Sequence, residues 1–385
     1  MRQLATIRRI TNIQPIKDRD LIVCANVDGW TVVVAKDQFK IGDPCVYFEP
    51  DSFLPTGDHR WQMLVDKKSK EYEGQVGHVL KTIRMGGVYS NGFCVKLSDF
   101  PELQHVAVDA PELNIDVTEI LGIKKYDPPE VLGRGGATKG NFPSFIPKSD
   151  EPRCQNLNRT IFDREIHVAT YTDSSGNTVE VRNYPKNTDD TEYEVTVKMD
   201  GSSFTSYHYN GTVGVCSRNL ELKIDEPGNT FVDMFNLMKF EQVLPQLGNF
   251  AFQLELCGPK IQNNQENFNK FHLFLFKIYD INERRYLQPD ERREMYAKLR
   301  ELVGEANSEN PEVLEQLHHV PILYERVKLK DLNIHSVADL LNFATGPSFN
   351  PNVQREGVTF KRYDPDVNDT FSFKAISESW LSSRK

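Results

Sequence analysis

The stretch Glu192–Leu220, EYEVTVKMDGSSFTSYHYNGTVGVCSRNL, decides how the rest of the chain is read. Tyr193, Val195 and Val197 alternate with Glu194, Thr196 and Lys198, a period of two that predicts a half-buried strand with Lys198 on the face opposite the apolar one. Met199-Asp200-Gly201 follows as a turn that sets a carboxylate beside the amine. Asn210-Gly211 lies between two further strand-like runs and predicts a hairpin, which ends in Ser217-Arg218-Asn219. Taken alone, Lys198 reads as a solvated strand-end lysine. A chemical role requires partners from elsewhere in the chain.

A length of 385 residues exceeds what one hydrophobic core usually serves, so two domains are expected. With 39% hydrophobic and 26% charged residues the composition is that of a globular protein. No apolar run is long enough to span a bilayer, and MRQLATIRRI lacks the apolar core of a signal peptide, so an intracellular, cytoplasmic protein is expected. The six cysteines are scattered without a CxxC pair, which predicts reduced, unligated thiols. A net charge of -9 argues against a broad basic surface for nucleic acid. Any phosphate-binding site must therefore be concentrated.

Upstream of the opening stretch, residues 2–54 read as short strands, with a hairpin signal at Asp28-Gly29 and a turn at Gly42-Asp43-Pro44. HVLKTIRM and GVYSNGFCVKL continue the pattern and predict a small OB-like β-barrel over residues 1–115. Asp116–Leu121 reads as a short helix opening a second domain, 116–385. The glycine-rich run from Gly133 to Gly140 does not fit a P-loop, because no Gly-Lys-Ser/Thr closes it; a linker over about 130–141 is expected. FPSFIPKSDEPRCQNL (142–157) brings Asp150, Glu151 and Arg153 together, and Ala169–Asp190 reads as a polar hairpin or loop.

Downstream, residues 230–246 carry apolar positions at helical spacing and predict a packing helix. FAFQLELCGP (250–259) alternates so that Glu255 falls on the face away from Phe250, Phe252 and Leu254. FHLFLFKIYDI (271–281) predicts a strand with Phe274, Phe276 and Ile278 in file. REGVTFKRY (355–363) and DTFSFKAIS (369–377) add two strands bearing Glu356, Lys361 and Lys374.

Each of these segments is a weak signal, but their order, KMDG, SRN, ELCG, FLFKIYD, REGVTFK and FSFK, resembles the motif series of the covalent lysyl-nucleotidyltransferases, which comprise RNA ligases, DNA ligases and mRNA capping enzymes. The chain is most similar to ATP-dependent RNA ligases of the Deinococcus and Naegleria type, which carry an N-terminal OB domain. The resemblance implies an α+β fold: an OB-like barrel followed by a nucleotidyltransferase domain of antiparallel sheets with flanking helices. It implies that Lys198 is the adenylated nucleophile and that Glu255 contacts the nucleotide ribose. Adenine would lie on Phe276, with Val197 and Gly201 bordering the nucleotide. Arg153, Arg218 and Lys374 would grip the phosphates of ATP and then of RNA. One departure stands out: the family's last motif commonly offers two lysines two residues apart, whereas here Ser372 precedes Lys374, leaving Lys361 as a source of the second charge.

The chemistry is consistent with these roles. A lysine attacks phosphorus only as the neutral amine, and an unperturbed pKa of about 10.4 leaves little of it free near neutral pH. A hydrated Mg2+ or Mn2+ with low solvent access would depress that value, and Asp200, Glu255 and Glu356 could hold such an ion through its waters. The expected activity is RNA sealing in three steps, through a lysyl-AMP and an RNA-adenylate, joining 5′-phosphate to 3′-hydroxyl ends, as in RNA repair. A monomer with no membrane partner is expected. The alternatives are another polynucleotide ligase or capping-type enzyme, distinguishable with GTP or DNA ends, and a non-catalytic OB-containing nucleic-acid binding protein.

Overall fold

The computed structural model describes residues 2–103, 105–106, 114–127, 138–172, 178–183, 185, 187–226, 228–364, 366 and 370–383. Two compact units emerge: Met1–Glu130 with Gln155–Asn158 and Glu378–Lys385, and Val131–Cys154 with Arg159–Ser377. The linear reading did not anticipate the two short returns of chain to the first unit. Of the expected linker only Thr138–Asn141 are described, as a strand; Gly133–Gly136 lie outside the described residues.

Short antiparallel strands build the first unit, as the closely spaced turn signals predicted. Pro44–Phe48 pairs with Ala5–Arg9 on one side and Phe93–Lys96 on the other. Being flanked on both sides, it buries both faces: Cys45 and Tyr47 enter a core around Trp30, while Val46 and Phe48 enter another around Trp61. Asp28, at φ 51, turns the hairpin between Arg19–Val27 and Trp30–Ala35. Asn156 is bound into this unit through its Oδ1, which accepts from Trp30 Nε1 at 2.7 Å, and its Nδ2, which donates to Glu49 Oε1 at 2.6 Å. The expected helix at Asp116–Leu121 is absent. Ile115–Asp116 instead pairs with Ala5–Arg9, and Thr118 Oγ1 accepts from Leu4 N at 2.9 Å, so ladder and side-chain bonds outweigh a weak helical preference. The closing helix Glu378–Ser383 also belongs here; Glu378 Oε1 accepts from Asn91 Nδ2 at 2.6 Å.

Two antiparallel sheets dominate the second unit. The larger runs in the order Thr138–Asn141, Leu220–Leu222, Thr212–Cys216, Ser202–Tyr209, Phe250–Cys257, His272–Asp280 and Arg285–Tyr286, with Leu317–His319 parallel to His272–Asp280. The smaller is Ile322–Lys328, Glu192–Lys198, Gly357–Arg362 and Ser372–Ile376. The main apolar core lies on the larger sheet against the helices Thr230–Leu237 and Pro289–Ala306. His167–Thr172 pairs with Thr178–Asn183 as the expected hairpin, and Asn210-Gly211 turns another, both residues having positive φ.

Three local expectations are corrected. The Lys198 strand is not half-exposed: it is flanked by two strands, and Glu194 and Thr196 are as buried as Tyr193 and Val195. Glu194 tolerates this because Arg292 and Arg293 both donate to it. Residues 230–246 form two short helices, Thr230–Leu237 and Phe240–Val243, because Lys239 adopts φ 51 and breaks the first. Finally, the strand His272–Asp280 is bulged. Leu275 opposes Leu254 and Lys277 opposes Gln253, leaving Phe276 as the extra residue. Phe274 and Phe276 therefore pack with Val197 and Met199, whereas Ile278 falls out of that file into the main core with Leu273 and Leu275. Among the described residues, no helix is long and apolar enough to cross a membrane.

Candidate active site

Lys198 ends its strand opposite Gly357, so Glu356, one residue before that partner, is brought alongside from 158 residues downstream. Its Nζ donates to Glu356 Oε2 at 2.8 Å. Glu255 arrives from the larger sheet and is fixed by the Gly201 amide, which donates to its Oε1 at 3.0 Å. Only glycine fits at 201, because a Cβ there would stand 2.4 Å from the Leu256 carbonyl oxygen. Gly357 is equally confined, at 2.2 Å from the Ala375 carbonyl oxygen.

Three carboxylates thus surround one amine. Burial would lower the Lys198 pKa, but Glu356, Glu255 and Asp200 outweigh it and hold the group above its ordinary value. With the carboxylates alone around it Lys198 is a protonated partner of Glu356, and the depression expected of the amine is one that a bound cation would have to supply. Burial, helped by Glu356 and Asp200 and opposed by Lys198 and the Gly201 amide, pushes Glu255 up to about 7. A surplus of negative charge on hard oxygen atoms suits a hydrated divalent cation. Among the described residues no three His, Cys, Asp or Glu side chains are grouped to hold a bare ion.

Positive charge is gathered just beyond. Lys374 lies across from Thr359 on the neighbouring strand, and its pKa is pushed down to about 8 by burial and then by the like charges of Lys198 and Arg153. Arg153 forms a parallel bridge with Lys374, whose amide donates to Pro152 O at 2.9 Å. Arg218 lines a cleft with Phe142, Lys148, Asp150, Ser203 and Thr205 and pairs with Asp150 at 3.2 Å. Ser203 is the cross-strand partner of Glu255, which places that cleft next to the carboxylate. Val197 is buried, and half-buried Phe276 packs in the cluster that contains it, whereas Phe274 is fully buried and stacks on His318.

Lys361 lies opposite Ser372 on the strand beside that of Lys374. It is buried, donates to the Phe276 carbonyl oxygen, and has its pKa pushed well down by burial and by Arg292. Two residues outside the expected set, Lys277 and Glu151, form an ion pair beside the Lys374 strand. Lys277 pairs with Glu151 at 2.7 Å, and Glu151 Oε2 also accepts from Ser372 Oγ at 2.5 Å. The available signal for Lys277 was a lone cation inside the apolar run FLFKIY.

A family model described as RNA ligase matches residues 191–376, and one described as an OB-fold domain matches residues 4–97. Among solved structures, the chain is similar to a variant of the Naegleria gruberi RNA ligase with AMP and manganese, at 37% identity and a TM-score of 0.81, covering 100% of this chain and 99% of that one. It is likewise similar to the same ligase with pyrophosphate (38%, TM-score 0.80, 100% and 99% covered) and to a variant with ATP and manganese (38%, 0.80, 100% and 99%). No curated protein matches the sequence.

Proposed function

The chain belongs to the RNA ligase family, and from that membership we propose that Lys198 is the residue on which its ATP-dependent sealing of RNA turns. The protein is an ATP-dependent RNA ligase that uses a divalent metal ion. The observation that carries the assignment is the Lys198–Glu356 contact of 2.8 Å inside the ring completed by Glu255 and Asp200.

In this reading the Lys198 ammonium first passes a proton to Glu356, its hydrogen-bond acceptor, and the neutral Nζ that results attacks the α-phosphorus of ATP. The N–P bond forms as the α–β P–O bond breaks, pyrophosphate leaves, and AMP stays on the lysine. Glu356 holds the amine in line and is the acceptor for its proton. Asp200, Glu255 and Glu356 would hold the metal ion through water, and that ion supplies charge neutralisation at the phosphates and carboxylates when bound. Arg153, Arg218 and Lys374 bind the phosphates, while Phe276 and Val197 border the base. AMP then passes to an RNA 5′-phosphate, and a 3′-hydroxyl displaces it to join the strands. The enzyme is further proposed to act as a monomer in the cytoplasm, where its cysteine thiols would remain reduced.

Incubation with ATP labelled at the α-phosphate and Mn2+ should tag the wild type covalently and leave Lys198→Ala untagged. Equal labelling of the two would refute the assignment. Chelation of the metal should abolish the tag, and labelled GTP in place of ATP should give far less.

A further inference from the structure

We propose that Glu151 is a positioning residue for nucleotidyl transfer: clamped by Lys277 from one sheet and Ser372 from the other, it holds Arg153 and Lys374 side by side. The inference rests on the functional reading above and adds a residue pair that reading does not contain.

The segment Pro147–Arg153 runs as a strap across the second unit. Gln253 Nε2 donates to Pro147 O at 2.8 Å on the larger sheet, and Lys374 N donates to Pro152 O at 2.9 Å on the smaller one. Arg153 bridges Lys374 in parallel. Two residues earlier on each chain, Glu151 meets Ser372, so the hydrogen bond of 2.5 Å is the preceding rung of the same pairing. Period-two geometry makes that rung a register pin: a slip of one residue would turn Arg153 to the opposite face, and a slip of two would carry it past Lys374.

A pin is needed because two like charges bridged side by side repel one another. Glu151 supplies the pin, being held from both sheets by Lys277 and Ser372. Burial would neutralise this carboxylate, but Lys277 at 2.7 Å and the Ser372 hydroxyl keep it below its ordinary value and therefore charged. Lys277 reaches it because the bulge at Phe276 changes which side chains of that strand face this way, and its Nζ also lies 4.5 Å from the Tyr286 ring centre. Both partners are only 10% exposed, so neither charge is replaced by water when the other is lost.

The test uses the full chain and follows label transfer to Lys198 at varied ATP. Lys277→Met and Glu151→Gln should each raise the KM for ATP by about tenfold or more while changing the maximal rate by less than about threefold, the signature of misplaced binding groups. Lys277→Arg should keep KM within about threefold of wild type, and Glu151→Gln/Lys277→Met should be no worse than the poorer single variant, because the two act as one unit. A folded Lys277→Met with wild-type KM, or a Lys277→Arg as impaired as Lys277→Met, would overturn the proposal. Should Lys277→Met not fold, Ser372→Ala leaves both charges and removes only the pin; a raised KM supports the clamp and an unchanged one rejects it. Failure of the wild type to label at Lys198 would instead sink the functional reading.

Discussion

Lys374 is the side chain through which pH should act on nucleotide binding. Its pKa is pushed down to about 8 by burial and by neighbouring Lys198 and Arg153, so it is charged below that pH and neutral above it. ATP affinity should therefore fall as pH rises through about 8, and Lys374→Met, measured in the same binding titration, should be weak at all pH and lack this limb. Removing one repelling charge in Lys198→Ala should move the limb to higher pH. Gly201→Ala offers a steric counterpart: its Cβ would press on the Leu256 carbonyl and displace Glu255, and labelling of Lys198 should drop by about a hundredfold or more. At this scale the sequence was informative where residue type and chemistry coincide, as at Lys198, Glu255 and Glu356. It did not pair Lys277 with Glu151, because that contact depends on two segments meeting across 126 positions.

Strands that looked simple in sequence differ from expectation in what covers them. Alternation in EYEVTVK predicted one wet face, yet both sets of side chains are buried, Val197 packing with Met199 and Phe274 and Glu194 lying beneath Arg292. Cutting this pair on one side should be severe: Glu194→Ala leaves Arg292, itself 1% exposed, without its main counter-charge and should cost about 3–5 kcal/mol in denaturant unfolding. Replacing both by apolar residues of similar size, Glu194→Leu with Arg292→Met, should cost markedly less. The bulge at Phe276 was equally illegible, since a period-two count assumes an unbroken ladder. The same holds for the break at Lys239, a residue with no evident tendency to positive φ. By contrast the turns at Asp28-Gly29 and Asn210-Gly211 were readable, because their residues tolerate the backbone that such hairpins demand.

For the whole molecule, a net charge of -9 and a few clustered phosphate cations predict an RNA complex with modest salt sensitivity. Three contacts, from Arg153, Arg218 and Lys374, correspond to a slope of about -2 in log affinity against log salt for a single strand. A slope several times steeper in a binding titration would mean a broad basic track that the composition argues against. The larger architecture was legible because ordered motifs span nearly the entire length, whereas the exchange of segments between the units was not, since four residues at 155–158 carry no compositional mark of the unit they join. That exchange makes the protein indivisible by a single cut. Cleavage near residue 130 would leave the C-terminal piece holding Gln155–Asn158 and Glu378–Lys385, both parts of the other unit, and the N-terminal piece lacking them. Each half expressed from such a cut is therefore expected to unfold at lower denaturant than the whole chain.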